Sequence, residues 1–142
     1  MKLTNALFID KIMFDPNNPC LFCNSKQSGL TAENELAYAS YDTYPVSKFH
    51  CLIIPKRHVK DYFDLNDNEV IACNSLIKQI KEEIILKDLS VNGFNIGVNS
   101  GVFAGQSIMH CHIHLIPRRK GDVDDPKGGV RGVIPSKQKY KK

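Results

Sequence analysis

The chain has 142 residues, of which 42% are hydrophobic and 24% charged, and its mean hydropathy is −0.26; a chain of this length can bury one adequate core, so a single domain over 1–142 is expected. No run approaches the roughly 18 uninterrupted apolar residues of a membrane span, and residues 1–25 lack the basic, apolar, small-residue order of a secretory leader. A membrane partner is therefore not expected, and a cytoplasmic protein is. The net charge of +4 is unevenly placed: residues 118–142 carry 9 basic and 3 acidic side chains, while residues 1–117 carry 10 and 12. Such a basic C-terminal segment can attract a polyphosphate or nucleic acid, but a solvated, frayed terminus accounts for it better, so nucleic acid is not the expected partner.

In chain order, residues 1–30 hold Asp15-Pro16, Pro19 and Ser28-Gly29 and read as loop around the pair Cys20 and Cys23. Glu35 to Tyr41 and Phe49 to Pro55 read as two strands separated by polar residues and Pro45. Asn66 to Lys87 carries the helical signal, with Val70, Cys73, Ile77, Ile80 and Ile84 three or four apart, Asn66 as cap and Glu69 at the capping-box position. Two further strands follow, in which Phe94, Ile96 and Val98, then Cys111, Ile113 and Leu115, alternate with polar residues. After Pro117 a short strand is expected near Val130 to Ile134. This order, without βαβ alternation, predicts an α+β domain: a mainly antiparallel sheet with one long helix on one face, leaving the other face for a site.

The 5 histidines fall in two short segments. His110, His112 and His114 are expected on one face of one strand, spaced by about 7 Å. Three imidazoles make a poor core, because each needs a polar partner when buried; a row of them suits metal ligation or nucleophilic and acid–base chemistry near neutral pH. Upstream, the small-residue loop from Asn99 to Ser107 can approach phosphate oxygens through its amides and side chains, which favours phosphoryl chemistry. The 5 cysteines are odd in number, unlike a secreted disulfide framework. Cys51, Cys73 and Cys111 read as buried apolar residues. Cys20-Leu21-Phe22-Cys23 has the spacing of either half a tetrahedral metal site or a redox pair, although no thioredoxin-like context surrounds it.

Gly105-Gln106-Ser107-Ile108-Met109-His110-Cys111-His112-Ile113-His114-Leu115-Ile116-Pro117-Arg118 resembles the signature of the histidine triad (HIT) family. Phe49-His50-Cys51-Leu52-Ile53-Ile54-Pro55-Lys56-Arg57-His58-Val59 is similar to that family's strand and Ile-Pro-Lys-x-His turn, so the resemblance covers residues 20 to 120 approximately. It implies the HIT-like fold, with a five-stranded sheet continued across a homodimer, and a nucleotide substrate, adenine-containing in the expected case. Its bacterial zinc-containing branch implies a structural zinc held by Cys20, Cys23, His58 and His110, in an N-terminal loop region over 1–30. By the same resemblance His112 is the nucleophile toward an α-phosphorus, forming a nucleotidyl-histidine, and His114 and Ser107 assist it. Asn99, Gly105, Gln106, Ser107 and His114 then hold phosphate oxygens and Asp42 the ribose hydroxyls, although Asp42 reads equally as a turn residue.

The resulting expectation is a hydrolase of dinucleoside polyphosphates, of diadenosine tetraphosphate type, or of related adenylates. A nucleoside phosphoramidase, a nucleotidyltransferase and a non-catalytic nucleotide-binding module remain alternatives. Residues 121–131 resemble the hydrolase-like bacterial members. His50 reads as packing near a strand entrance, with a site role as the alternative. Arg118, Arg119 and Lys120 read equally as a solvated turn or as contacts to outer phosphates.

Overall fold

The computed structural model describes residues 19–23 and 29–141; the remainder of the expected N-terminal loop lies outside them. Its regular elements are β1 (Leu30–Glu33), β2 (Ala37–Tyr41), β3 (Cys51–Pro55), α1 (Asp67–Lys87), β4 (Val91–Val98) and β5 (Ile113–Arg119), with short 3-10 turns between them. The strands form one five-stranded sheet in the order β1-β2-β3-β5-β4, and every neighbouring pair is antiparallel. This is the expected α+β architecture, with the helix on one face.

Helix α1 starts where the Asn66 side chain accepts the Glu69 amide at 2.9 Å and Glu69 Oε1 accepts the Asn66 amide at 3.0 Å, a reciprocal capping box. Its buried stripe of Cys73, Leu76, Ile80 and Ile84 packs on Ala37 and Ala39 of β2, Cys51 and Ile53 of β3, and Ile113 and Leu115 of β5. The two alanines let the helix approach β2 closely, while full burial of each isoleucine or leucine contributes about 1.5–3 kcal/mol. Strand alternation turns Tyr38, Leu52 and Ile54 to the opposite face, where Phe22 lies over them. That face thus carries a small apolar patch of its own beside the site.

Four expectations are corrected. A short strand, β1, precedes the expected one, and β2 begins at Ala37 rather than Glu35. The strand expected from His110 begins only at Ile113, because the Cys111 amide donates to the Val59 carbonyl at 2.7 Å instead of to a sheet neighbour. His110, at a bend, and His112 therefore stand on the lead-in to β5 rather than within it. Val130 to Ile134 is no strand: Gly129–Val133 is a 3-10 turn entered through Gly128 at φ 92°. Arg131 bonds the carbonyls of Lys137 and Gln138 at 3.0 and 3.3 Å, folding that segment back on itself.

Candidate active site and metal centre

A cavity of about 270 Å³ opens on the face away from α1. One side is apolar, formed by Leu21, Phe22, Tyr38, Leu52, Ile54 and Ile108. The other is polar, formed by Asp42, Asn99, Ser107, His112 and His114 among others. An apolar slot ending in a few convergent polar groups suits a ligand with a flat ring at one end and charge at the other.

Hydrogen bonds fix which nitrogen of each ring carries a proton. His112 Nδ1 lies 2.8 Å from the His110 carbonyl, which can only accept, so Nδ1 carries the hydrogen and Nε2 keeps its lone pair in the neutral ring. The Val46 amide donates to His50 Nδ1 at 3.2 Å, which puts the proton of neutral His50 on Nε2. That Nε2–H faces His114 Nδ1 at 2.9 Å, with Asp42 Oδ2 at 3.5 Å. His114 Nδ1 is then the acceptor, and its Nε2–H remains as a donor. His50 is thus no mere packing residue; it sets the tautomer of His114. Phe49, at φ 70°, re-aims the chain just before it, a left-handed position uncommon for a bulky residue.

Burial, reinforced by the neighbouring His112 and His50 rings, pushes His114 down to about 4 from its ordinary 6.5. His50 is lowered by burial too, against the opposing pull of Asp42. A histidine with a depressed folded-state value stabilises the fold fully above its unfolded value and loses that contribution as pH falls toward the folded one, because the unfolded chain takes the proton first. Urea midpoints should therefore fall between pH 6.5 and about 4, and the fall should be shallower in His114→Gln by about 1–2 kcal/mol after allowance for solvent screening. Parallel slopes in the two proteins would contradict the neutral, half-buried state of His114.

Asp42 is a turn residue, its Oδ1 accepting the Tyr44 amide at 2.9 Å, and it also lines the cavity. Gln106 departs from expectation. It is 4% exposed and its amide is spent on the loop, donating to the Lys60 and Ile108 carbonyls at 2.6 and 3.1 Å and accepting the Gly101 amide at 2.9 Å. Neither Gln106 nor Gly105 lines the cavity. Gly105, at φ 92°, supplies the left-handed turn that ends the Val102–Ala104 segment. Arg118 and Arg119 are held by Asp122 at 2.8 Å and by Asp88 at 2.9 Å, respectively. Burial pushes the Cys51 and Cys111 thiols up to about 12 and Cys73 to about 11, so these three are inert apolar packing groups.

Cys20, Cys23, His58 and His110 bring one donor atom each to within 4.8 Å of one another. His110 Nε2 lies 2.7 Å from the Pro55 carbonyl and so carries the ring proton, leaving Nδ1 as the lone-pair nitrogen. That Nδ1 is 3.1 Å from His58 Nδ1 and 3.5 Å from each thiol sulfur. Two sulfurs and two imidazole nitrogens at this spacing can hold a metal ion of tetrahedral preference, and the Pro55 carbonyl is the outer partner that orients one ligand. His58 is placed by its neighbour Arg57, which grips Glu69 of α1 at 2.7 and 3.1 Å.

Comparison with known proteins agrees with this fold. The HIT domain family matches residues 24–121. An uncharacterized HIT-like protein of Methanocaldococcus jannaschii is 38% identical over 120 residues, covering 80% of this chain and 91% of the relative. The solved structure of a Zn-bound histidine triad family protein from Mycobacterium smegmatis superposes with a TM-score of 0.67 at 30% identity, covering 73% of this chain and 78% of that one. A bis(5'-nucleosyl)-tetraphosphatase (asymmetrical) of Schizosaccharomyces pombe is 34% identical over 91 residues, 64% of this chain and 50% of the relative. An AP-4-A phosphorylase of Mycobacterium tuberculosis is 35% identical over 103 residues, 70% of this chain and 52% of the relative. This chain spans about half the length of both named enzymes.

Proposed function

Since the chain belongs to the histidine triad family, with the HIT domain over residues 24–121, we propose that it is a nucleotide hydrolase acting at the α-phosphorus of a dinucleoside polyphosphate or a related adenylate. The observation that carries this reading is the His112 ring, whose Nδ1–H is tied to the His110 carbonyl at 2.8 Å while its Nε2 is left as a nucleophile beside a cavity with an apolar side. The names of the Schizosaccharomyces pombe and Mycobacterium tuberculosis relatives support a dinucleoside tetraphosphate substrate containing adenine.

In the proposed reaction the base occupies the apolar slot and Asp42 accepts from the ribose hydroxyls. His112 Nε2 attacks the α-phosphorus, forming an N–P bond as the bond to the bridging oxygen breaks and the remaining polyphosphate leaves with that electron pair. The His110 carbonyl holds the Nδ1–H of the imidazolium as it forms, and His114 Nε2–H and the Ser107 hydroxyl donate to the phosphate oxygens, where charge grows. Asn99 can hold the same oxygens. Water then attacks phosphorus, the N–P bond breaks, and a nucleoside monophosphate is released. Cys20, Cys23, His58 and His110 would hold zinc, the ion suited to two thiolates and two imidazoles, and its part would be structural, fixing the chain ahead of His112.

Purified protein should convert diadenosine tetraphosphate to monophosphate-containing products faster than it cleaves adenosine phosphoramidate, and metal analysis of the same sample should find about one zinc per chain. Preference for the phosphoramidate would transfer the reading to the P–N branch, and turnover of neither would remove it. A second copy would extend the sheet along the outer edge of β4, an eight-residue edge with Ile96 half exposed. Light scattering should give the dimer mass; a monomer mass at micromolar concentration would count against it.

A further inference from the structure

The two residues between the thiols belong at once to the metal loop and to the cavity. Leu21 and Phe22 line the cavity, and the residues on either side, Cys20 and Cys23, belong to the cluster able to hold a metal. Phe22 packs with Tyr38, Leu52 and Ile54, and its carbonyl accepts the Tyr38 hydroxyl at 2.7 Å. Its ring meets those of His112 and His110 edge-on, with centroids 5.1 and 6.0 Å away. A turn whose two ends are bound to one ion has few arrangements; without the ion the same turn must pay its ordering cost when a ligand arrives.

We propose that metal occupancy and nucleotide affinity are coupled through Leu21 and Phe22: the ion fixes the turn that forms one wall of the nucleotide cavity, so each ligand strengthens binding of the other. The coupling rests on the nucleotide reading of that cavity. It assigns the metal a second effect, separate from holding the fold, and makes Leu21 and Phe22 the residues that transmit it. Linkage requires the effect to be reciprocal, so the factor by which the metal tightens nucleotide binding is also the factor by which the nucleotide tightens metal binding.

The test titrates AMP into the zinc-loaded protein and into the same protein stripped with a chelator, and measures zinc affinity by chelator competition with and without AMP. AMP should bind about tenfold more tightly to the zinc form, and AMP should raise zinc affinity by the same factor. In Phe22→Leu and in Leu21→Ala, whose wild-type side chain is 52% exposed and so dispensable for folding, about one zinc should still bind while the coupling factor falls toward one. Equal AMP affinity of the loaded and stripped wild-type proteins would overturn the proposal. So would undiminished coupling in both variants, which would route it through His110 and His112 instead. Loss of circular dichroism on stripping would also overturn it, since the ion would then hold the whole sheet rather than one wall. A zinc-loaded protein that binds no AMP at all would instead remove the nucleotide reading itself, and is distinguished by intact zinc binding with no AMP response in either form.

Discussion

Replacing His112 with asparagine is expected to lower turnover of the dinucleotide substrate by about ten-thousand-fold or more while nucleotide affinity changes only a few-fold. Loss of a nucleophile removes the covalent route entirely, whereas the cavity proposed to take the substrate is built mainly by other residues, from Leu21 to His114. Asparagine keeps a side-chain amide that can still donate to the His110 carbonyl, so the lead-in to β5 need not rearrange. The contrast with His114 is instructive. His114→Ala retains the nucleophile and removes one donor to the phosphate, an effect of about a hundred- to a thousand-fold on kcat. Single-turnover kinetics with AMP binding measured in parallel separates the two. A fall in His112→Asn confined to affinity would contradict the assignment of His112 as nucleophile.

Replacing Glu69 with alanine should lower stability by about 2–4 kcal/mol, or roughly 10 °C in Tm for a domain of this size. Glu69 is only 2% exposed. It accepts from Arg57 at 2.7 and 3.1 Å and from the Asn66 amide at 3.0 Å. One residue therefore completes the capping box of α1 and anchors the turn that carries His58. The Arg57 hydrogen bonds, ahead of the Asn66 amide, hold the Glu69 carboxyl below its ordinary range. A depressed carboxylate contributes stability that is present above its unfolded value and lost as pH falls through the folded one, so the gap between wild type and Glu69→Ala should narrow in acid. Because the Arg57 side chain is half exposed, solvent screening keeps the cost toward the lower end of the range. Thermal melts at neutral and acid pH test both parts. A Tm within about 2 °C of wild type would refute the anchoring role.

The parts of this protein legible in its sequence are those set by local pattern. The capping box at Asn66 and the apolar spacing along α1 are local, as is the alternation that separates Cys51 and Ile53 from Leu52 and Ile54. The cluster of Cys20, Cys23, His58 and His110 was reachable because the resemblance supplied the pairing of distant segments. What escaped depends on tertiary contact without a local signature. The His50–His114 contact joins β3's entrance to β5 across 64 positions, and nothing in the residues around His50 announces it. Gln106 looks like a phosphate ligand because its type and place suit one, yet the Lys60 and Ile108 carbonyls need its donors. Strand β1 has only four residues and pairs irregularly with β2 between Leu30 and Ala32, so its alternation is too short to read. Val130 to Ile134 has β-branched residues, but Gly128 and Gly129, both at positive φ, turn the chain out of an extended path.

The most direct measurement is the mass of the intact protein quenched without acid during turnover of diadenosine tetraphosphate. A fraction of the chains should carry one added adenylyl group, mapped by fragmentation to His112, released by mild acid and absent from His112→Asn. An adduct on another residue, or one that persists in His112→Asn, would contradict the account of His112 on which the proposed function stands.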